Sequence, residues 1–292
     1  MNRYIDRNII LLFFVSLVWG STFVFVKQTV VNVNEYLIVC LRTSLAAFVM
    51  LLYLGIKHRY YFKEFKSIKR GMILGIFLGI VYSSQVIGLK YTSTGHSAFI
   101  TGIAVVLVPV IMFLFYKHKF AYKEWGAIFT VFIGLFFLTY DPNTEINIGD
   151  LITLITAFTA AIHIILAGNF VKQYNVLVLI TFQFVGASLI TFIAFIFKGE
   201  YSVVMNTADI LSILYLGFIG TLFCYFASVW AQKKVSTITV VLMFSLEPIF
   251  AAVFGFFILN EILNAKELFG AALIFTGIIF YQYAKKNRIK ID

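Results

Sequence analysis

Charge is what this chain has least of. Only 12% of its 292 residues are Asp, Glu, Lys or Arg, against 61% hydrophobic residues, whereas an ordinary soluble domain draws about 25% from the charged set. A soluble globular protein is therefore excluded. Proline is nearly absent, with three residues in all, so most apolar stretches lack the residue that breaks helices. The two cysteines, Cys40 and Cys224, both lie inside apolar stretches and support neither a disulfide framework nor a zinc site. No phosphate-binding loop of the Walker type occurs, so ATP is not expected as a direct energy source and no cofactor is implied.

What is present is length of apolar run. Stretches with little or no charge cover 8–26, 36–56, 71–89, 97–116, 125–140, 151–171, 175–197, 210–232, 237–259 and 268–284. A spanning helix needs about 20 apolar residues, so these predict an all-α membrane protein with ten transmembrane helices. Barrel strands are excluded, because they are about ten residues long and alternate with a period of two. Arg3 and Arg7 before the first run give it the look of a signal peptide. Its apolar core is too long and has no small-x-small cleavage site, which makes it an uncleaved first helix.

The formal charge of +10 reads as topology, and it implies no nucleic-acid partner. Of 23 basic residues, eighteen fall in the segments on the side of the N-terminus, while Lys27, Lys90, Lys198 and Lys266 are on the other side. By the positive-inside rule both termini are cytoplasmic, in a multi-pass protein of the inner membrane. The basic segment from His58 to Arg70 serves that topology signal or contacts anionic lipid. Lys90 and His96 are expected to meet water at the outer boundary.

The sequence also repeats itself. Phe25-Val26-Lys27-Gln28 recurs as Phe170-Val171-Lys172-Gln173, Pro109 answers Pro248, Ser97 answers Ser236 at the openings of their helices, and Lys123-Glu124 and Gly134 match Lys266-Glu267 and Gly277. The shared order and offset predict two units of five helices, residues 1–140 and 141–292. Five is odd, so the second unit crosses the bilayer in the opposite sense. Inverted repeats of this kind are typical of secondary transporters, whose two halves exchange conformations around a central site. Gly71, Gly75 and Gly79 form one helix face for close packing. The short fifth helices of the two units are read as peripheral, their ends extended by snorkelling Lys and Glu.

Ionisable groups at membrane depth are expensive, which makes them the best site markers in such a chain. Three lie deep: Arg42, His163 and Glu247. Arg42 could bind an anionic group of a substrate, or be held as structure by backbone carbonyls and Glu247. Glu247 directly precedes Pro248, where a helical hydrogen bond is missing; it could carry a coupling proton, form a gate, or tie two helices. Pro109 and Pro248 mark helix breaks or gates. In the other half, Gln183 stands at the place of Arg42 and Val108 at that of Glu247, so the scaffold is pseudosymmetric and the charges are not. Trp19, Ser21 and Thr22, Tyr82 and Gln85, His163, Tyr225 and Trp230 complete a polar and aromatic candidate lining for a binding or coupling site, alongside Gln183.

With Trp19-Gly20-Ser21-Thr22-Phe23, Arg42, and the run Leu246-Glu247-Pro248, Gly255, Glu261, Gly270 and Gly277, the chain resembles the drug/metabolite transporter superfamily, in particular its EamA-type ten-helix members. The first half departs from that pattern in having no acid equivalent to Glu261. The resemblance implies alternating-access export of a small metabolite, such as an amino acid, or of a drug, with protons as a common coupling ion; uptake or exchange also occurs in the superfamily. From another class, an intramembrane enzyme would need a nucleophile with its base, paired acids or metal ligands at depth, and these are missing from the sequence. A channel would need a filter-like loop, and none is seen.

Overall fold

The computed structural model describes residues 7–139, 147–198, 205–259 and 264–288. Arg3, Glu261 and the expected boundary between 140 and 141 lie outside the described residues. Ten helices are long and apolar enough to cross a membrane, and no strand occurs among the described residues. They are α1 (Arg7–Thr29), α2 (Glu35–Lys57), α3 (Phe65–Tyr91), α4 (Thr94–Tyr116), α5 (Tyr122–Thr139), α6 (Ile148–Phe170), α7 (Val176–Lys198), α8 (Thr207–Ala231), α9 (Thr237–Leu259) and α10 (Ala265–Arg288).

Polar residues at the starts set where the helices begin. Asn34 accepts from the amides of Tyr36 and Leu37 ahead of α2, and Asn147 and Asn206 form reciprocal capping boxes with Asp150 and Asp209, satisfying amides that have no partner within the helix. Ser236 caps α9 as its position suggested. Its expected counterpart Ser97 does not open α4. Ser93 does, a turn earlier, and Ser97 is buried inside the helix with its hydroxyl unpaired.

Inside a bilayer, helix association relies on close backbone approach and interhelical hydrogen bonds. The Gly71, Gly75 and Gly79 face of α3 meets α7 at Phe182, Gln183, Gly186, Ala187 and Ile190, and this is the most extensive helix pair. Hydroxyl pairs tie other helices: Thr43 to Thr191 and Ser44 to Ser188, each at 2.8 Å, join α2 to α7, and Ser84 to Thr156 at 2.7 Å joins α3 to α6. The Ser16 hydroxyl donates to the Met243 carbonyl at 2.8 Å, joining α1 to α9. α5 and α10 pack chiefly on each other through Gly134, Gly270 and Gly277.

The packing pairs up under exchange of the two halves. α3 packs on α7 and α6, while α8, its counterpart, packs on α2 and α1. α1 packs on α9, and α6 on α4; the counterparts α2 and α7, and α5 and α10, pack on one another.

Three helices are interrupted: α4 and α9, where Pro109 and Pro248 were expected to mark breaks, and α8, where no break was expected. α4 breaks at Ile103, between segments Thr94–Gly102 and Ala104–Tyr116. Pro109 sits inside the second segment, so the expected break at that proline is displaced toward the start of the helix. α9 breaks at Ser245 and Leu246, with Glu247 and Pro248 opening its second segment, Glu247–Leu259; a proline is tolerated in a first turn because no amide donor is needed there. α8 carries a π-helical stretch at Leu216–Phe223, a rare widening of the helix that often accompanies functional sites.

Candidate functional site

A cavity of about 850 Å³, counting its open mouth, lies in the bundle. Its wall holds Trp19 and Thr22 of α1, Arg42 of α2, Tyr82 and Gln85 of α3, His163 of α6, Tyr225 of α8, and Glu247 with Pro248 of α9. Residues far apart in sequence, and contributed by both halves, thus converge on one space.

The π-helical stretch explains how Arg42 is held. Widening the helix frees the Gly220 carbonyl for side chains: the Trp19 indole Nε1 donates to it at 2.9 Å and the Tyr82 hydroxyl at 3.3 Å. One residue on, the Thr221 hydroxyl accepts from Arg42 Nε at 2.9 Å and donates to the Leu216 carbonyl, five residues back, at 2.8 Å. The guanidinium carbon lies 4.0 Å from the centre of the Tyr82 ring, within the range of a cation–π contact. Arg42 is 1% exposed. Of its five N–H donors, Nε alone hydrogen-bonds a described residue. Gly220 itself must lack a side chain, since a Cβ there would lie 2.8 Å from the Thr22 methyl.

The structural alternative that tied Arg42 to Glu247 is not what the structure shows. Among the described residues no hydrogen bond or ion pair engages the Glu247 carboxylate, and Thr221 and Tyr82 hold the arginine. Aromatic rings close around the same space: Trp19 meets Tyr225 at a tilt and Phe244 edge-on, with centres 5.0 and 4.8 Å apart, and Tyr225 also meets Tyr82 and His163.

Four of the candidates lie off the cavity. Ser21 shares a hydrogen bond with the Tyr215 hydroxyl at 2.6 Å. Gln183 stands behind His163, the two side chains 3.2 Å apart at His163 Nε2 and Gln183 Oε1. Trp230 is 41% exposed, stacked on Phe226 with Lys233 over its ring. Pro109 is buried in α4 away from the wall. The cavity also takes in residues that hydropathy and charge did not single out: Thr101, Ser228, Gln232, Phe244 and Ser245. Ser228 and Gln232 follow Tyr225 at helical spacing on α8, and that periodicity is the signal by which they are found.

The boundary residues are also corrected. Lys90 and His96 do not simply meet water: Lys90 Nζ lies 2.9 Å from Glu35 Oε2, and His96 Nδ1 lies 3.4 Å from Asp150 Oδ1. Lys27 Nζ donates to the Leu89 and Thr92 carbonyls at 2.9 and 2.7 Å, so it closes the last turn of α3.

Ten apolar helices around a cavity whose wall includes an arginine and a glutamate make this a multi-pass membrane protein. The EamA-like transporter family model matches the chain twice, over residues 7–140 and 147–282, and the chain belongs to that family. A protein named an uncharacterized transporter in Archaeoglobus fulgidus is 29% identical over 91% of this chain and 82% of its own length. The Bacillus subtilis protein named uncharacterized transporter YdfC is 23% identical over 93% of this chain and 89% of its own. Among solved structures, one chain described only as a crystal structure of a protein superposes with a TM-score of 0.76 at 13% identity, covering 94% of this chain and 97% of that one. That likeness concerns the fold alone.

Proposed function

We propose that the protein is a secondary transporter that exports a small metabolite carrying an anionic group, such as an amino acid or a related compound, or a drug of that character. It works by alternating access in the cell membrane, with both termini cytoplasmic. The observation that carries this reading is the convergence of Arg42, from the first half, and Glu247, from the second, on one cavity. Arg42 is fixed by Thr221 and Tyr82 with donors to spare, which is the condition for binding a carboxylate bidentately. Glu247, at a helix break and without a hydrogen-bond or ion-pair partner among the described residues, is placed to bind a substrate ammonium group or a coupling proton. The pairing of contacts under exchange of the halves supports an inverted repeat, in which rocking one unit against the other opens the site to either side.

The test is counterflow in proteoliposomes over a panel of labelled amino acids and organic anions. Saturable counterflow lost in Arg42→Ala supports the reading; flux that does not saturate, or single-channel current, refutes it. Everted vesicles energised by a pH gradient read direction and coupling together, and proton-driven flux that persists unchanged in Glu247→Gln removes the proton role of that residue.

A further inference from the structure

Two residues of the cavity wall, Thr101 and Gln232, carry a buried polar atom without a hydrogen-bond partner among the described residues, and Gln232, an amide with both a donor and an acceptor, has the more to offer a cargo. Gln232 is 3% exposed, its Oε1 is buried without a hydrogen-bond partner, and no hydrogen bond joins its Nε2 to a described residue. Buried amides are almost always paired. Gly168 leaves room for the side chain, since a Cβ there would stand 3.2 Å from Gln232 Oε1, and the residue lines the cavity. Gln183, the other buried glutamine with an unpaired atom near the site, is different: it lies off the wall, and its second amide atom is engaged by His163.

Position adds the second half of the argument. Thr221, Tyr225, Ser228 and Gln232 are spaced by four, three and four residues, which places them on one face of α8. Thr221 holds Arg42 at one end of this face, and Gln232 ends it at the C-cap, one residue past the helix. Eleven residues at about 1.5 Å each separate the two by roughly 16 Å along the axis. A carboxamide offers a donor and an acceptor side by side and no charge. It therefore complements another amide or a hydroxyl, and it rejects an apolar group of the same shape.

We infer that Gln232 is a specificity-determining residue of the cargo site, reading an uncharged hydrogen-bonding group at the end of the cargo remote from Arg42. The inference rests on the cavity being the cargo site. The cargo it describes is a small anion with an amide or hydroxyl at its far end. A separation of that order along the axis exceeds a single amino acid and suits a compound of dipeptide size or longer, one residue adding about 3.5 Å.

The probes are two pairs that differ only by amide against isobutyl-shaped apolar end: asparagine with leucine, and glycylasparagine with glycylleucine. Thermal melting of the purified protein and counterflow in proteoliposomes are measured for each. Wild type should favour the amide member, more strongly in the dipeptide pair, by about 10- to 100-fold in affinity. Gln232→Met, apolar and of similar length, should abolish the preference by weakening the amide members alone. Gln232→Asn retains the amide and keeps part of the preference, which guards against a folding defect in the methionine variant. The inference is overturned when wild type shows no preference in either pair, when no probe binds, or when Gln232→Met keeps the wild-type ratio. Arg42→Ala separates it from the broader reading: probes that bind Arg42→Ala as well as wild type, while Gln232→Met still changes the ratio, refute the anion contact and leave the Gln232 role standing.

Discussion

The packing of α3 on α7 can be tested without knowing the cargo. At Gly75 a Cβ would stand 2.5 Å from the Gln183 carbonyl oxygen, 2.7 Å from the Gly186 Cα and 2.9 Å from the Ala187 amide nitrogen. All three are backbone atoms, so no side chain can swing away, and the two helices themselves must separate by several tenths of an ångström. A gap of 0.5–1 Å forfeits about a quarter to a half of each dispersion contact along the seam, and overpacking of this kind costs about 1–3 kcal/mol. Alanine returns at most about 1 kcal/mol of helix propensity. Gly75→Ala is therefore expected to destabilise the protein by about 1–2 kcal/mol, or about 2–8 °C in melting temperature at a slope of about 2–4 °C per kcal/mol. Gly55 supplies the control, since a Cβ there meets nothing within 4 Å, and Gly55→Ala should be neutral or slightly stabilising. Melting of both variants in one detergent, followed by tryptophan fluorescence, measures the difference. Equal melting temperatures for the two variants would refute the claim that this helix pair is set by backbone contact at Gly75.

Arg42→Lys keeps the charge but loses the Nε bond to Thr221 and the guanidinium contact with the Tyr82 ring; a hydrogen bond to a charged group contributes about 1.5–3 kcal/mol, so the KM for an anionic cargo should rise about 10- to 100-fold in counterflow, with a neutral competitor unaffected. Trp19→Phe retains the rings' contacts and removes the bond to the Gly220 carbonyl, so it should lower stability by about 0.5–1.5 kcal/mol, read by melting. Trp230→Ala should leave cargo affinity within about twofold of wild type, because the indole faces away from the cavity; a larger loss in the binding assay contradicts that placement. Glu35→Gln breaks the pair with Lys90 at a partly exposed site and should cost no more than about 1 kcal/mol, shrinking further at high salt.

Much of the architecture was legible along the chain because a membrane span is a local property. A run of about 20 apolar residues forms a helix wherever it lies, since backbone groups in lipid must bond within their own segment, and the ten runs match the ten helices within a few residues at most ends. α3 begins earlier than its apolar run because Lys66, Lys69 and Arg70 continue the helix beyond it. Depth was equally legible: Arg42 and Glu247 stood out as costly charges, and both line the cavity. Direction around the helix axis was not. Trp230 and Tyr225 share a helix and an aromatic character, yet one faces outward and the other the cavity, and Ser228 and Gln232 escaped notice because uncharged polar residues carry little cost in hydropathy.

By itself, then, the sequence determined a ten-helix membrane protein, its duplication and the two charges worth watching, all of which follow from composition and order. Only the tertiary structure decided who holds Arg42. That partner is Thr221, 179 residues away, presented by a π-helical stretch whose freed Gly220 carbonyl is taken up by Trp19 and Tyr82 from two other helices. The widening of α8 is stabilised by those distant donors, so no local pattern announces it. The same holds for the unpaired amide of Gln232, which becomes visible only when every neighbour that might have bonded it is in place.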